Sequence, residues 1–362
     1  MSYKIKLINN PEDEFWHQFD EIIKNCEHTV QFNSVWLSNY IENYLDEKQN
    51  VLILAAYQEE KLVGCLPVQT VIRRGTRFYN YIELIPLGFG PTDFYYIPLI
   101  KDDNFKILEK IVDYLISEVK WDKIRLSELP ENSIGFNTLL KVLSSKNIKF
   151  QKKSENGFRF IKTINKNAED FLEKDFYPHN KDLAKSERRI DRKGFKLSYK
   201  HYKKNVYQEL LKNIELYAQR RESLGQLNKY ETSKRKAFLK NIIEKYEALN
   251  KVELTLLLAN EEVWAFQLDW IDNNNRYHWN HAYNEDYKRY SPGKVILKHL
   301  LIQGINDQDI KTCNHMRGLS RYKEKFTDQQ VNLYTIDFEN PRSYKIKFTR
   351  FISSTLRLVG KK

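Results

Sequence analysis

The stretch Tyr277 to Gly293, YHWNHAYNEDYKRYSPG, gathers the side chains that proton transfer and phosphate binding require. A strand runs into a polar loop, and the loop ends at Ser291-Pro292-Gly293, where a helix begins. A helix start presents unpaired N–H groups and a positive dipole end, which suit a phosphate. Gly293 lets backbone approach closely, Lys294 adds charge, and Arg289 stands just before. Ser followed by Pro also opens ordinary capped helices, so the motif alone does not prove a site. A second cluster is Asn314-His315-Met316-Arg317-Gly318, followed by Tyr322-Lys323. It sits at the C-terminal end of a strand, where α/β sheets bind ligands. Arg317 can hold a phosphate or carboxylate with its fork, and Tyr322 can donate a proton to a leaving group. The bland alternative is a solvated Arg/Lys turn.

His278 and His281 lie three residues apart on one strand. A regular strand turns them to opposite faces, away from a common metal ion. His281 then shares a face with Tyr277, Trp279 and Tyr283, and Asp286 follows in the loop. Asp269, on the preceding strand, is a further candidate base. Asp269, His281 and Asp286 stay open as alternatives. No Cys/His/Asp/Glu spacing resembles a zinc site, so no metal is expected. There is no GxxxxGK[ST], GxGxxG or GxSxG, which removes support for phosphate-loop, Rossmann and hydrolase-elbow readings.

The positive charge is local. The net charge is +12, of which +7 falls in His179–Lys204 and +7 in Asn340–Lys362, leaving −2 for the rest. The first basic segment, HNKDLAKSERRIDRKG, reads as a helix ending at Gly194, with Arg188 and Arg189 in a dense cationic turn. Such a turn suits phosphates or nucleic acid, or is a solvated face. The second carries Phe348, Phe351, Ile352, Leu356 and Val359 at helical spacing among its cations. That pattern predicts a basic amphipathic helix over 343–362, able to lie on an anionic membrane surface or on the protein itself.

These groups need a scaffold. The chain has 362 residues, 41% hydrophobic, which suggests two domains or one large one with a sizeable core. No apolar run is long enough to span a bilayer, and the polar N-terminus holds no secretory signal. Cys26, Cys65 and Cys313 are far apart, against a disulfide framework. A cytoplasmic protein is expected. Helices are predicted near 15–23, 34–45, 105–119, 133–143, 205–224, from 232 or 233, and 292–305. Asn205 is the expected N-cap of its helix, with Gly225 as its stop. Strands are predicted at 51–56, 62–72, 123–127, 252–259, 263–271, 277–283, 311–316 and 331–338, with Pro67 marking an edge or bulge. Two hairpins share an acidic turn, Gln58-Glu59-Glu60 and Asn260-Glu261-Glu262, about 200 residues apart. A duplicated α/β module would leave that trace.

The order Leu183…Arg188-Arg189…Gly194, Ala282-Tyr283…Tyr290-Ser291-Pro292-Gly293 and Met316-Arg317-Gly318…Tyr322-Lys323 resembles the BioF2-like acetyltransferases. These are a branch of the GNAT (Gcn5-related N-acetyltransferase) superfamily. The chain is also similar to the FemABX aminoacyl transferases, which carry two GNAT-like modules. The BioF2-like pattern commonly has Asp-Phe where this chain has Asn314-His315. The resemblance implies tandem GNAT-like α/β modules with mixed sheets and flanking helices: 1–155, 156–342, then the helix 343–362. It implies acyl transfer from acetyl-CoA or another acyl-CoA to an amine on a small molecule or glycan, such as an amino sugar or cell-envelope polysaccharide precursor. Asp269, His281 or Asp286 would take the amine proton and Tyr322 would protonate the thiolate. Arg289, Ser291, Gly293 and Lys294 would bind the donor, and Arg188, Arg189, Arg317 and Lys323 the anionic parts of donor or acceptor. The alternatives are an aminoacyl-tRNA-dependent peptidyltransferase, with tRNA as partner, and a non-catalytic assembly module. The C-terminal helix would add peripheral attachment at the inner membrane face.

Overall fold

A computed structural model describes residues 2–24, 30–75, 80–226, 228 and 230–345. The expected helix over 343–362, but for its first few positions, and Cys26 therefore lie outside the described residues. The chain divides into two compact units, residues 1–157 with 331–362, and residues 158–330. The last strand thus counts with the first unit, where the sequence reading set it in the C-terminal module.

In the first unit, β1 (Lys4–Ile8), β2 (Val51–Gln58), β3 (Lys61–Arg74) and β4 (Asn80–Pro86) pair in antiparallel succession. Helices α1 (Asp13–Lys24) and α2 (Ser34–Asn43) lie between β1 and β2, and α3 (Asn104–Glu118) leads to β5 (Lys123–Pro130), which runs parallel to β4. Helix α4 (Ile134–Ser145) leads to β6 (Phe150–Lys162), which begins in this unit and ends in the next. Alternation and buried apolar runs explain the elements. All of β2 except Gln58 is buried, as is most of β3, because helices such as α1 and α3 pack on this sheet. Pro67 does not mark an edge. It sits opposite Ile53 in an interior strand, and its carbonyl accepts from Leu87 N and Tyr95 Oη, so only its missing N–H is lost. The bulge of this hairpin lies instead at Ala56/Tyr57.

The second unit repeats the plan. After short helical turns over 168–179 comes α5 (Lys181–Arg192), which ends before Gly194 at φ +69°. Then β7 (Leu197–Tyr202), α6 (Val206–Ser223), α7 (Ser233–Ala248), β8 (Val252–Ala259), β9 (Glu262–Asp272) and β10 (Asn275–Tyr283) follow. Strands β7 to β10 pair antiparallel. Helix α8 (Pro292–Asn306) crosses to β11 (Thr312–Arg317), parallel to β10. The acidic hairpin turns are equivalent: Glu59 in one, and Asn260 and Glu261 in the other, adopt positive φ. Asn205 starts α6 without a side-chain cap. Glu247 of α7 caps it, accepting from Asn205 N at 2.9 Å and Val206 N at 3.0 Å.

The closing strands are exchanged. The C-terminal half of β6 pairs with β11, and β12 (Gln329–Glu339), which follows β11, pairs with β5. The strand order is β1-β2-β3-β4-β5-β12-β6 in the first unit and β6-β11-β10-β9-β8-β7 in the second.

Candidate active site

Strands β10 and β11 pair only over Asn275–Tyr277 and Thr312–Asn314. Beyond that each departs from regular geometry. Strand β10 carries a bulge: its register to β9 passes from His278↔Asp269 directly to Asn280↔Leu268. Strand β11 shifts between Asn314 and Arg317, with Met316 at φ +56°. Parallel strands that part in this way leave a gap beside the following helix, and bulges re-aim side chains at such places.

The bulge overturns one expectation. The extra residue, Trp279, restores His281 to the face of His278, so His281 does not share a face with Tyr277. Gln267, His278, His281, Gly293, Leu297, His315 and Tyr322 line one pocket of about 20 Å³. Gln267 fixes the bulge by donating to the carbonyls of Leu268 (3.1 Å) and Asn280 (3.3 Å). Asn314 Oδ1 accepts from Met316 N at 2.8 Å and so holds the left-handed step of β11. That role needs an amide or carboxylate oxygen and no charge.

Behind the pocket lies a buried polar network on the same sheet face. Arg276 is 2% exposed and reaches Glu253 Oε2 (3.2 Å), Asp269 Oδ2 (3.4 Å) and Gln303 Oε1 (3.1 Å). His278 Nδ1 lies 2.9 Å from Asp269 Oδ1, and His201 Nδ1 lies 2.8 Å from Glu253 Oε1. Burial raises the Glu253 carboxyl, but His201, Arg276 and Lys203 together outweigh it and hold the pKa at about 2. Sequence reading passed over Arg276 and Glu253, because their partners come from three strands and a helix. The alternation of polar residues within apolar runs of β8, β9 and β10 was the available signal.

The donor-binding candidates divide. Ser291 sits at φ +54°, makes no side-chain cap, and its hydroxyl pairs with Ser186 Oγ at 3.1 Å. Pro292 has no N–H, which leaves the Gly293 N–H as the first donor of the helix end. A Cβ on Gly293 would lie 3.2 Å from Tyr283 Cδ1. Lys294 is ion-paired with Asp182 rather than free. Arg289 is exposed and lies over the Tyr290 ring at 4.8 Å. The turn before Ser291 is held rigidly: Tyr287 and Tyr290 stack on Trp264, and Arg220 bonds Glu285 at 2.5 Å.

Among the other candidates, Asp269 is fully buried behind His278 and does not line the pocket, and Asp286 is exposed on the turn. His281 is solvent-accessible, and its imidazole is lowered to about 4 by desolvation and then by Lys323, Arg220 and Arg221. Tyr322 meets the His281 ring edge-on at 6.2 Å. Burial pushes its hydroxyl up to about 12, which makes it a hydrogen-bond donor and a weak acid. Lys323 donates to the carbonyls of Met316 (3.1 Å) and Arg317 (2.7 Å), so it braces the turn. Arg317 lies half-buried at the end of β11. Arg188 and Arg189 are exposed on α5, where Arg189 reaches the Arg289 carbonyl at 3.5 Å. Among the described residues no group of three or more His, Cys, Asp or Glu is arranged to hold a metal ion, and no helix is long and apolar enough to cross a membrane.

A parallel strand pair that parts at a bulge, followed by an open helix N-terminus, sets a gap beside a backbone donor. Residues 179–324 match the family described as an acetyltransferase (GNAT) domain. The whole chain shares its fold with FemX at 9% identity, covering 92% of this chain and 98% of that one, with a TM-score of 0.61. A tandem GNAT protein from the clavulanic acid biosynthesis pathway matches at 6% identity over 94% and 100%, TM-score 0.50. L-PGS from Bacillus licheniformis matches at 11% identity over 94% and 97%, TM-score 0.50. No curated protein matches the sequence. The chain thus carries a match to a GNAT domain over residues 179–324 and has the fold of FemX and of a tandem GNAT protein.

Proposed function

We propose that the protein transfers an acyl group from acyl-CoA to an amine, on an amino sugar or a related precursor of cell-envelope polysaccharide. The observation that carries the reading is the free Gly293 N–H beside the parting of β10 and β11, in one pocket with His278, His281 and Tyr322. A helix end without its own cap offers a donor and a positive dipole end to a pyrophosphate. Exposed Arg289, with Arg189 against its carbonyl, adds cationic surface there. The acyl thioester would lie in the gap between the strands, where backbone N–H groups could polarise its carbonyl. The amine attacks that carbonyl, the C–S bond breaks, and the thiolate leaves. Tyr322 would steady the thiolate by hydrogen bonding. Handing over its proton outright, from about 12 to a thiol near 8.5, is uphill by roughly 5 kcal/mol. The site would work on the cytoplasmic side, where acyl-CoA is found.

The test is calorimetric titration with acetyl-CoA, followed by free-thiol release on adding glucosamine. Micromolar binding and amine-dependent thiol release are expected. Absence of both refutes the reading. One observation favours a second reading. Lys185, Arg188, Arg189, Arg192 and Lys193 all lie exposed on or just after α5, a surface suited to an aminoacyl-tRNA donor. Tight, steeply salt-dependent tRNA binding without acetyl-CoA binding would select it. A chain that binds neither would be a non-catalytic assembly module. The membrane proposal rests on the sequence of 343–362 and predicts that its deletion releases the protein from anionic vesicles.

A further inference from the structure

Two buried ring nitrogens in the pocket lack a partner: His278 Nε2 and His315 Nε2. Their residues are 6% and 3% exposed. A nitrogen left unpaired in the interior bears its full desolvation cost, which a ligand donor would relieve. Both side chains line the same space of about 20 Å³, the size of one water or one amine nitrogen. The two rings meet edge-to-face at 5.1 Å.

The wiring behind His278 sets its tautomer. Asp269 is fully buried, with Arg276 Nη1 3.4 Å from its Oδ2 and His278 Nδ1 2.9 Å from its Oδ1. A carboxylate beside a guanidinium can only accept, so His278 Nδ1 carries the proton. Its Nε2 lone pair is then presented to the pocket. Sequence reading offered Asp269, His281 and Asp286 as bases. Asp269 does not reach the pocket, Asp286 is exposed on the turn outside it, and desolvation, then the cations Lys323, Arg220 and Arg221, make the His281 ring a weak base.

We propose that His278 Nε2 is the proton acceptor of the transfer, with Asp269 as the positioning residue that fixes its tautomer. The pocket between His278 and His315 is the seat of the attacking nitrogen. The inference rests on the N-acyltransfer reading. In the step, the nitrogen lone pair forms the C–N bond and the C–S bonding pair leaves with the thiolate. The amine proton passes to His278 Nε2, and Asp269 steadies the imidazolium. The thiolate takes a proton from solvent, and His278 returns its own to solvent. The charged and titratable groups around His278 are Asp269 on β9, Arg276 and His281 on β10, His315 on β11, and Tyr322 and Lys323 beyond it. Burial, and then His278, Lys323 and His281, hold the His315 imidazole well below its usual pKa, so His315 stays neutral and does not compete for the proton.

The test uses the full chain with ¹⁵N-labelled histidine, the His278 signals being assigned by their loss in H278Q or H278N. A protonated Nδ1 and bare Nε2 are expected at pH 7.5. In parallel, thiol release from acetyl-CoA with glucosamine is followed from pH 5 to 9. H278Q should lower kcat at least 100-fold and flatten the acid limb, with the acetyl-CoA Kd within twofold of wild type. D269N should lower kcat while leaving that Kd unchanged. A protonated Nε2 in His278, or a kcat for H278Q within threefold of wild type, overturns the proposal alone. Failure of the wild type to bind acetyl-CoA removes the acyl-transfer reading and the proposal together.

Discussion

Replacing Arg276 by Met should destabilise the second unit severely. Arg276 lies between Glu253 and Asp269, both fully buried. Methionine preserves the stem and removes the charge, leaving two carboxylates without their guanidinium. Breaking a buried pair from one side costs about 3 to 5 kcal/mol. For a unit of this size, each kcal/mol moves the melting midpoint by about 2 to 4 °C, so a drop of roughly 6 to 20 °C follows. The pH dependence carries a second sign. Glu253 titrates near 2 when folded against 4.5 as a free side chain. A depressed carboxylate stabilises the fold fully above pH 4.5 and loses that contribution as pH falls towards 2. The wild type should lose about 3 kcal/mol over that window from this group. Without Arg276, burial works against the charge, and the loss over the same window should shrink. Near-UV circular dichroism gives the midpoint, and amide exchange in β8–β10 reports the second unit alone. A midpoint within 2 °C of wild type at pH 7, with an unchanged acid limb, refutes this account of the network.

Lys323→Met removes two bonds to the carbonyls of the β11 turn and should cost about 2 kcal/mol, seen as a lower midpoint. An unchanged midpoint with a raised acceptor KM would return the lysine to ligand binding. Gly293→Val crowds Tyr283 and covers the free N–H, so acetyl-CoA should bind at least tenfold more weakly, about 1.4 kcal/mol. Binding within twofold of wild type would remove the phosphate role of this helix end. Gly135→Ala would set a Cβ 2.4 Å from the Ile97 carbonyl oxygen, a clash with backbone that cannot yield. A loss of about 3 kcal/mol is expected in the first unit, with β8–β10 amides still protected. A variant as stable as wild type would show that the contact relaxes.

Most elements were legible because their patterns are local. The apolar runs of β2, β8 and β9, the stripe of α6 and the Pro292 start of α8 need no partner to be read. Strands β1, β4, β6 and β7 escaped because they are short or mixed in character, and β7 alternates only weakly. The site was harder. Ser291 and Gly293 stood out in the sequence, but whether Ser291 caps its own helix depends on Ser186 more than 100 residues away. The face of His281 was misread because a single bulged residue inverts the alternation, and Trp279 carries no mark of it. Lys294 and Lys323 looked like free cations, since Asp182 and the β11 carbonyls come together only in the fold.

The exchange of closing strands has a consequence for synthesis. Strand β5 is complete at Pro130, while β12, its hydrogen-bonded neighbour, begins at Gln329. At about 5 to 20 residues per second, a ribosome needs roughly 10 to 40 seconds to make the intervening chain. For that time one flank of β5 waits with unpaired N–H and C=O groups, a template for wrong pairing. The second unit is made within the wait, so the first unit is the earlier to start and the later to finish. A nascent chain stalled before Gln329 would be the form most in need of a chaperone.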